Sequence, residues 1–315
     1  MEFVRTMMQT EDQIRITEDI LRLKKQKGVH IFAHCYQSAA VRKAADHVLE
    51  TLEMAFAVSQ VEGDTVIVCA ARSVGETVKI LNPHKRVLIP RPEAECALSA
   101  QMLPRHIRAM RSAYPDAAVV CFINSSAAVK AQSDVCCTAS SAVRIVRSLK
   151  AGRVIFAPDR NLAKYMADRV PEKEIIAFSG YCPVHEKADE TDVSAARAKY
   201  PGAKLLVSPQ CADEVVKSAD FAGGTDELMA FAGNSLGEKF VLGAEASIPE
   251  ILAENEAEKS FYPLSDAMTC PSMKLIALDD VLNCILNDEY EVQIEPEELT
   301  LARRAMGRML KVLLM

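Results

Sequence analysis

Ten cysteines stand in this chain of 315 residues, and three of them share a setting. RVLIPRPEAEC ends at Cys96, EIIAFSGYC at Cys182 and KSFYPLSDAMTC at Cys270. Each is an apolar run, then a loop carrying Gly, Pro or polar residues, then the thiol. Cys96 and Cys182 are 86 residues apart, and Cys182 and Cys270 are 88 apart. In SGYCPVHEK, His185 follows Cys182 by three residues. A disulfide, a zinc site, a nucleophile and an iron–sulfur ligand could each use such a cysteine. The chain has no CxxC pair, which argues against a zinc ribbon or a thioredoxin-type motif. Three widely spaced thiols suit a [4Fe–4S] cluster in which one iron lacks a protein ligand, and such an iron can act as a Lewis acid on a substrate oxygen. Three thiolates and a water also suit zinc, and on spacing alone coincidence stays open. The other seven, Cys35, Cys69, Cys121, Cys136, Cys137, Cys211 and Cys284, lie mostly in or beside apolar runs and read as small buried hydrophobes.

The elements that would position these thiols alternate. Apolar runs of four to seven residues, rich in Val, Ile and Phe, occur at 29–34, 64–70, 86–90, 118–124, 134–139, 153–158, 174–180, 204–209, 219–224, 239–245 and 259–264. They read as strands buried on both faces. Between them lie helical stretches such as KAADHVLETLEMAFAVSQ and TASSAVRIVRSLK, and EPEELTLARRAMGRMLKVLL closes the chain as an amphipathic helix, acidic first and basic later. Strand–helix alternation implies an α/β fold with parallel sheets. The cysteine period divides it into three units of about 85 residues, each offering one thiol beyond its last strand. Ligands collect outside the carboxyl ends of parallel strands. The expected boundaries are 1–113, 114–200 and 201–315.

Composition narrows the function classes. Half the residues are hydrophobic and the formal net charge is −6, which argues against a nucleic-acid binder working by bulk charge. No run of 18 apolar residues suggests a membrane span, and the charged N-terminal stretch does not resemble a signal peptide. The expectation is a cytoplasmic protein, a monomer or small homo-oligomer with no nucleic-acid or membrane partner, in which disulfides would be rare.

Several stretches in fixed order give the chain a family resemblance: IFAHCYQ, GETVKILNPHKRVLIPRPEAECALSA, INSSAAVKAQSDVCCTASSAV, VIFAPDRNLAKYMA, GYCPVHEK, SPQCADEVVKSADFAGGT and FYPLSDAMTCPSMKLIAL. From about residue 28 onward it resembles the quinolinate synthases, the iron–sulfur enzymes of NAD biosynthesis. The resemblance implies three pseudo-symmetric three-layer α/β/α units, with small parallel sheets, around a central cavity. It implies a [4Fe–4S] cluster held by Cys96, Cys182 and Cys270, the same three that the period singles out. It implies condensation of iminoaspartate with dihydroxyacetone phosphate at an open iron, with His34, Tyr36 and His185 as catalytic groups and Asn124 and Thr225 among the substrate-binding ones.

The same resemblance exposes departures. Where the family usually reads His-Pro-Glu-Cys, this chain has SPQC, so Ser208 replaces an imidazole and Gln210 a carboxylate that can exchange a proton. Phe122 replaces a tyrosine, Ala139 a serine, and Gly224 the serine of a Ser-Thr pair. LET stands for Gly-Asp-Ser, which leaves Glu50 and Thr51, and the second residue of HCYQ is Cys35 rather than Asn or Tyr. With Thr51, Phe122, Ala139, Ser208, Gln210 and Gly224 all placed in the substrate space, the expectation is a refitted cavity. The protein would be a paralogue acting on a related small carboxylated or phosphorylated substrate. The alternatives are authentic quinolinate synthesis, cluster-dependent sulfur transfer using the spare Cys35 and Cys211, and iron or redox sensing.

Overall fold

The computed structural model describes the backbone from residue 2 and the side chains from residue 11 to the C-terminus. It contains three four-stranded parallel sheets. The first joins β1 (His30–His34), β2 (His47–Leu49), β3 (Thr65–Cys69) and β4 (Arg86–Leu88) in the order β2-β1-β3-β4. The second joins β5 (Ala118–Phe122), β6 (Val135–Cys137), β7 (Arg153–Ala157) and β8 (Glu174–Ala177) in the order β6-β5-β7-β8. The third joins β9 (Lys204–Val207), β10 (Phe221–Ala222), β11 (Lys239–Gly243) and β12 (Ser260–Pro263) in the order β10-β9-β11-β12. One topology is thus used three times. Register repeats as well: Phe32 pairs with His47, Val120 with Val135 and Leu206 with Phe221.

Two polar devices recur with the sheets. An aspartate at the entry of each second strand accepts the amide of the first strand. Ile31 N donates to Asp46 at 2.8 Å, Val119 N to Asp134 at 2.8 Å and Leu205 N to Asp220 at 2.7 Å, each across 15 residues. Burial pushes the Asp46 carboxyl up, but the Ile31 amide and the Lys24 ammonium outweigh it and hold it below its ordinary value. A lysine just before each fourth strand caps two carbonyls ahead of the third. Lys85 donates to Val61 and Gly63, Lys173 to Leu149 and Ala151, and Lys259 to Ala232 and Gly233. These side chains satisfy backbone groups that the sheet ladder leaves over.

The chain divides into two compact units. One comprises residues up to Cys96 together with Pro271–Ile294; the other comprises Ala97–Cys270 and Glu295–Met315. In the first unit, Ile20 of the helix Glu2–Lys27 shares a core with Ile31, Ile67, Leu88, Val281 and Ile285. The Lys27 ammonium donates to the carbonyl of Leu286 at 3.0 Å. An antiparallel bridge from Leu88 to Glu291 covers the free edge of β4. In the second unit, Val184, Leu205, Val207, Val215, Val241 and Met268 form a core against which Cys182 and Cys270 both pack. The C-terminal helix Pro296–Leu313 packs on β6 and on the helix Ala127–Ala131.

Two sequence expectations change. KAADHVLETLEMAFAVSQ is not one helix: it divides into the end of Ala39–Ala44, the edge strand β2 and the helix Thr51–Gln60. The Asp46–Ile31 clamp breaks the helical run, and His47 then stacks on Phe32 with ring centroids 4.9 Å apart. Burial on both faces holds for the central strands, whereas the edge strands β2, β8, β10 and β12 are only partly covered.

Replacing Lys85 with Met should remove two charge-assisted hydrogen bonds at a buried site and cost about 2–3 kcal/mol. Urea denaturation would measure it, and a loss below about 0.5 kcal/mol would show that the lysine caps contribute nothing.

Candidate functional site

The candidate residues occupy equivalent points of the repeated sheets. Each first strand ends in a four-residue turn closed by a backbone hydrogen bond: Gln37 N to His34 O at 2.9 Å, Ser125 N to Phe122 O at 2.9 Å and Cys211 N to Ser208 O at 3.0 Å. His34, Phe122 and Ser208 are therefore the first residues of three matching turns, and Tyr36, Asn124 and Gln210 the third. A side chain reinforces the turn in two repeats. Tyr36 N donates to His34 Nδ1 at 3.2 Å, and Gln210 N donates to Ser208 Oγ at 3.3 Å. Ser38 and Ser126 then cap the short helices that follow, accepting from Val41 N and Val129 N. Thr51, Ala139 and Thr225 follow the second strand of each sheet, and Thr51 and Thr225 are the first residues of helices.

In the first unit, His34 is buried, Tyr36 half-buried and their rings meet edge to face at 4.7 Å. The Tyr36 carbonyl accepts from the Lys274 ammonium at 2.8 Å, and Gln37 O accepts from Arg42 at 2.8 Å. These bonds hold the turn from behind. Thr51 is buried and Cys96 half-buried. The loop to Cys96 is pinned by Arg72 N donating to Ala94 O at 2.8 Å.

In the second unit, the third repeat brings Ser208 and Gln210 beside residues of the second. Gln210 Nε2 donates to Asp159 Oδ2 at 2.7 Å, and Asn161 Nδ2 donates to Gln210 O at 3.0 Å. Asp159 Oδ1 accepts from Asn161 N and Leu162 N, both at 2.9 Å, and so caps the helix Arg160–Arg169. Burial raises the Asp159 carboxyl above its ordinary value, opposed by these amides, by Gln210 and by nearby His185. Phe122 and His185 are buried, and Asn124, Ala139 and Thr225 half-buried. Gly224 faces Ser140: a β-carbon there would meet Ser140 N at 3.0 Å and Asp226 Oδ1 at 2.7 Å. The missing side chain at 224 is thus matched by a close backbone approach.

His185 Nδ1 lies 3.3 Å from Cys182 Sγ. Burial pushes the Cys182 thiol up to about 11, although the amides of His185 and Val184 point at its sulfur and favour the thiolate; Asp159 and Glu186 oppose them. Amides aimed at a buried sulfur that cannot ionise alone suit a metal-bound thiolate, whose cation supplies the missing charge. Cys270 is half-buried, and its amide donates to Glu245 Oε1 at 3.1 Å. Among the described residues no cysteine pair is bridged.

Sequence reasoning missed two buried carboxylates, Asp159 and Glu245, which stand at matching points after β7 and β11. Glu245 Oε2 accepts from Ser247 N at 2.8 Å, much as Asp159 caps its own helix. The signal was an acidic residue directly before a helical stretch, as in PDRNLA and GAEASI. His106 stacks on Phe178 with ring centroids 5.4 Å apart.

A family model described as "Quinolinate synthetase A protein" matches residues 18–311. The quinolinate synthase of Alkaliphilus metalliredigens is 37% identical over 301 residues, covering 96% of this chain and 99% of that protein. That of Caldicellulosiruptor saccharolyticus is 39% identical over 298 residues, 95% of this chain and 98% of the relative. The quinolinate synthase of Methanoregula boonei is 38% identical over 300 residues, again 95% and 99%.

Gln210→Glu should place a second carboxyl against Asp159, and two buried carboxyls at hydrogen-bond distance must share a proton. The shared proton raises a folded-state pKa above its unfolded value. The penalty is therefore absent at pH values below the unfolded pKa and grows as pH rises through the folded one. Melting temperatures compared from pH 5 to pH 8 should show the variant falling progressively below wild type. A pH-independent difference would mean that Gln210 and Asp159 are not in contact.

Proposed function

This chain belongs to the quinolinate synthetase A family and is an enzyme of that family, and from this we propose that it forms quinolinate from iminoaspartate and dihydroxyacetone phosphate. The observation that carries the reading is near-full-length similarity to proteins named quinolinate synthase. That similarity weighs for the quinolinate reaction over a related substrate.

In this reading Cys96, Cys182 and Cys270 hold a [4Fe–4S] cluster. The amides at the Cys182 sulfur and the burial of its thiol support that assignment. When bound, such a cluster supplies an open iron that polarises a substrate oxygen. The chain's own groups then bind substrate and move protons. His34 offers Nε2, because its Nδ1 accepts from Tyr36 N. His185 likewise offers Nε2, because its Nδ1 faces Cys182. The Tyr36 phenol can give or take a proton beside His34. Asn124, Thr51 and Thr225 contribute an amide and two hydroxyls for substrate polar atoms, while Phe122, Ala139 and Gly224 shape the space. The three repeated sheets also support reading the chain as three units, 1–113, 114–200 and 201–315.

A second reading, a related small carboxylated or phosphorylated substrate, rests on Gln210. Its amide is engaged by Asp159 and cannot take up a proton, and Ser208 supplies a hydroxyl in place of a ring. Sulfur transfer gains nothing from Cys211, which is fully buried and whose thiol burial pushes up.

The two readings separate in a strain lacking quinolinate synthase. The first predicts growth without added nicotinate, while failure to grow despite soluble, cluster-loaded protein would favour the second. Anaerobically prepared protein should carry about four irons per chain. Cys96→Ala, Cys182→Ala and Cys270→Ala should each abolish that content, whereas Cys137→Ala should leave it unchanged; full iron in the Cys182 variant would remove the ligand assignment.

A further inference from the structure

The third turn carries an amide whose two ends are not equivalent. Gln210 Nε2 donates to Asp159 Oδ2 at 2.7 Å, a short bond to a charged acceptor. Asp159 is fully buried, and Gln210 keeps 7% of its surface exposed. The Gln210 backbone is held on both sides: its N–H donates to Ser208 Oγ at 3.3 Å, and its carbonyl accepts from Asn161 Nδ2 at 3.0 Å. Among the described residues none donates to Gln210 Oε1, and that oxygen is not one of the fully buried atoms left without a partner. It is therefore open at the small surface that Gln210 retains.

Which arm of the amide faces Asp159 follows from the donors gathered there. An ionised carboxylate only accepts, so the NH2 arm must be the one that meets it. A protonated Asp159 would instead donate to Oε1 and turn the amide over. Asn161 N and Leu162 N both reach Oδ1 at 2.9 Å, and Nε2 reaches Oδ2. Three donors on one carboxyl favour the ionised form, against the burial that disfavours it.

Oε1 is then the atom that position 210 offers to a ligand. It is an acceptor: a substrate hydroxyl or N–H satisfies it, whereas a carboxylate or phosphate oxygen would face it unpaired. A carboxylate at this position would also present an accepting oxygen. The amide thus keeps that half of a carboxylate's chemistry and gives up only proton exchange.

We propose that Asp159 is the positioning residue for Gln210: by holding Nε2 it leaves the amide oxygen to the substrate, where it selects a hydroxyl or an N–H. The inference rests on the reading of Gln210 as a substrate-facing residue, and its test separates the two.

Asp159→Asn is the informative variant. Its side-chain oxygen can still cap the helix Arg160–Arg169, so the melting temperature should move by less than about 4 °C. Its new NH2 group would donate to Oε1 and turn the Gln210 amide over. In the quinolinate assay with cluster-loaded protein, Asp159→Asn should lower kcat/KM about 10- to 100-fold. Adding Gln210→Glu to Asp159→Asn should recover most of that loss, because a carboxylate at 210 accepts from the new NH2 group and still offers an oxygen to substrate. A residue that only supports the fold would show no such rescue. The double variant also keeps the test open if Asp159→Asn alone folds poorly.

Full-length protein labelled with ¹⁵N-glutamine gives a readout independent of turnover. The Gln210 NH2 pair, assigned by its loss in Gln210→Glu, should have one proton shifted downfield and slow to exchange, and Asp159→Asn should remove that signature. A pair indifferent to Asp159→Asn would overturn the proposal, as would a loss of kcat/KM that the second substitution does not recover. A signature lost as described, with kcat/KM unchanged, would show that Gln210 does not face substrate and would overturn the selection. Wild type that forms no quinolinate, with the signature behaving as described, would count against the reaction and leave the hold of Asp159 on the amide standing.

Discussion

The aspartate that reaches from each second strand to an amide of the first is the contact on which the rest depends. Asp46, Asp134 and Asp220 fix how far the first strand runs before its turn. That register sets which two side chains each turn presents. A slip of one residue would reverse the faces of the strand and exchange the side chains that its turn presents. The carboxylates are worth their desolvation because they satisfy backbone amides and meet cations, as Asp46 meets Lys24 at 2.7 Å and Asp134 meets Arg111 at 2.8 Å.

Repetition of one device lets unequal chemistry sit on equal backbones. The first turn carries an imidazole and a phenol, the second a phenyl ring and an amide, the third a hydroxyl and an amide. Where a polar group is missing, its surroundings are built for what is present. Gln210 is anchored by Asp159, and Gly224 makes room for the Ser140 amide. These are settled packing arrangements, each satisfied by its own partners, and a family reaction must run on them as they stand.

Much of this was legible in the sequence because the repeat is long and the strands are apolar. The strand–helix alternation predicted parallel sheets, and the period of the matching loops that end at Cys96, Cys182 and Cys270 predicted three units. The edge strand β2 escaped because HVL sits inside an amphipathic stretch, and only a side chain reaching back to Ile31 ends the helix there. Asp159 and Glu245 escaped because periodicity registers apolar residues and is silent about a buried carboxylate that caps a helix.

The central claim, quinolinate synthesis by a family enzyme whose three repeat cysteines hold its cluster, is tested most directly by single-turnover chemistry. Purified protein with verified cluster content would be mixed anaerobically with iminoaspartate and dihydroxyacetone phosphate, and quinolinate measured by mass spectrometry. The account predicts quinolinate from wild type and none from protein in which Cys182 is replaced by Ala. Cluster-loaded wild type that yields no quinolinate, or equal product from the cysteine variant, would contradict it.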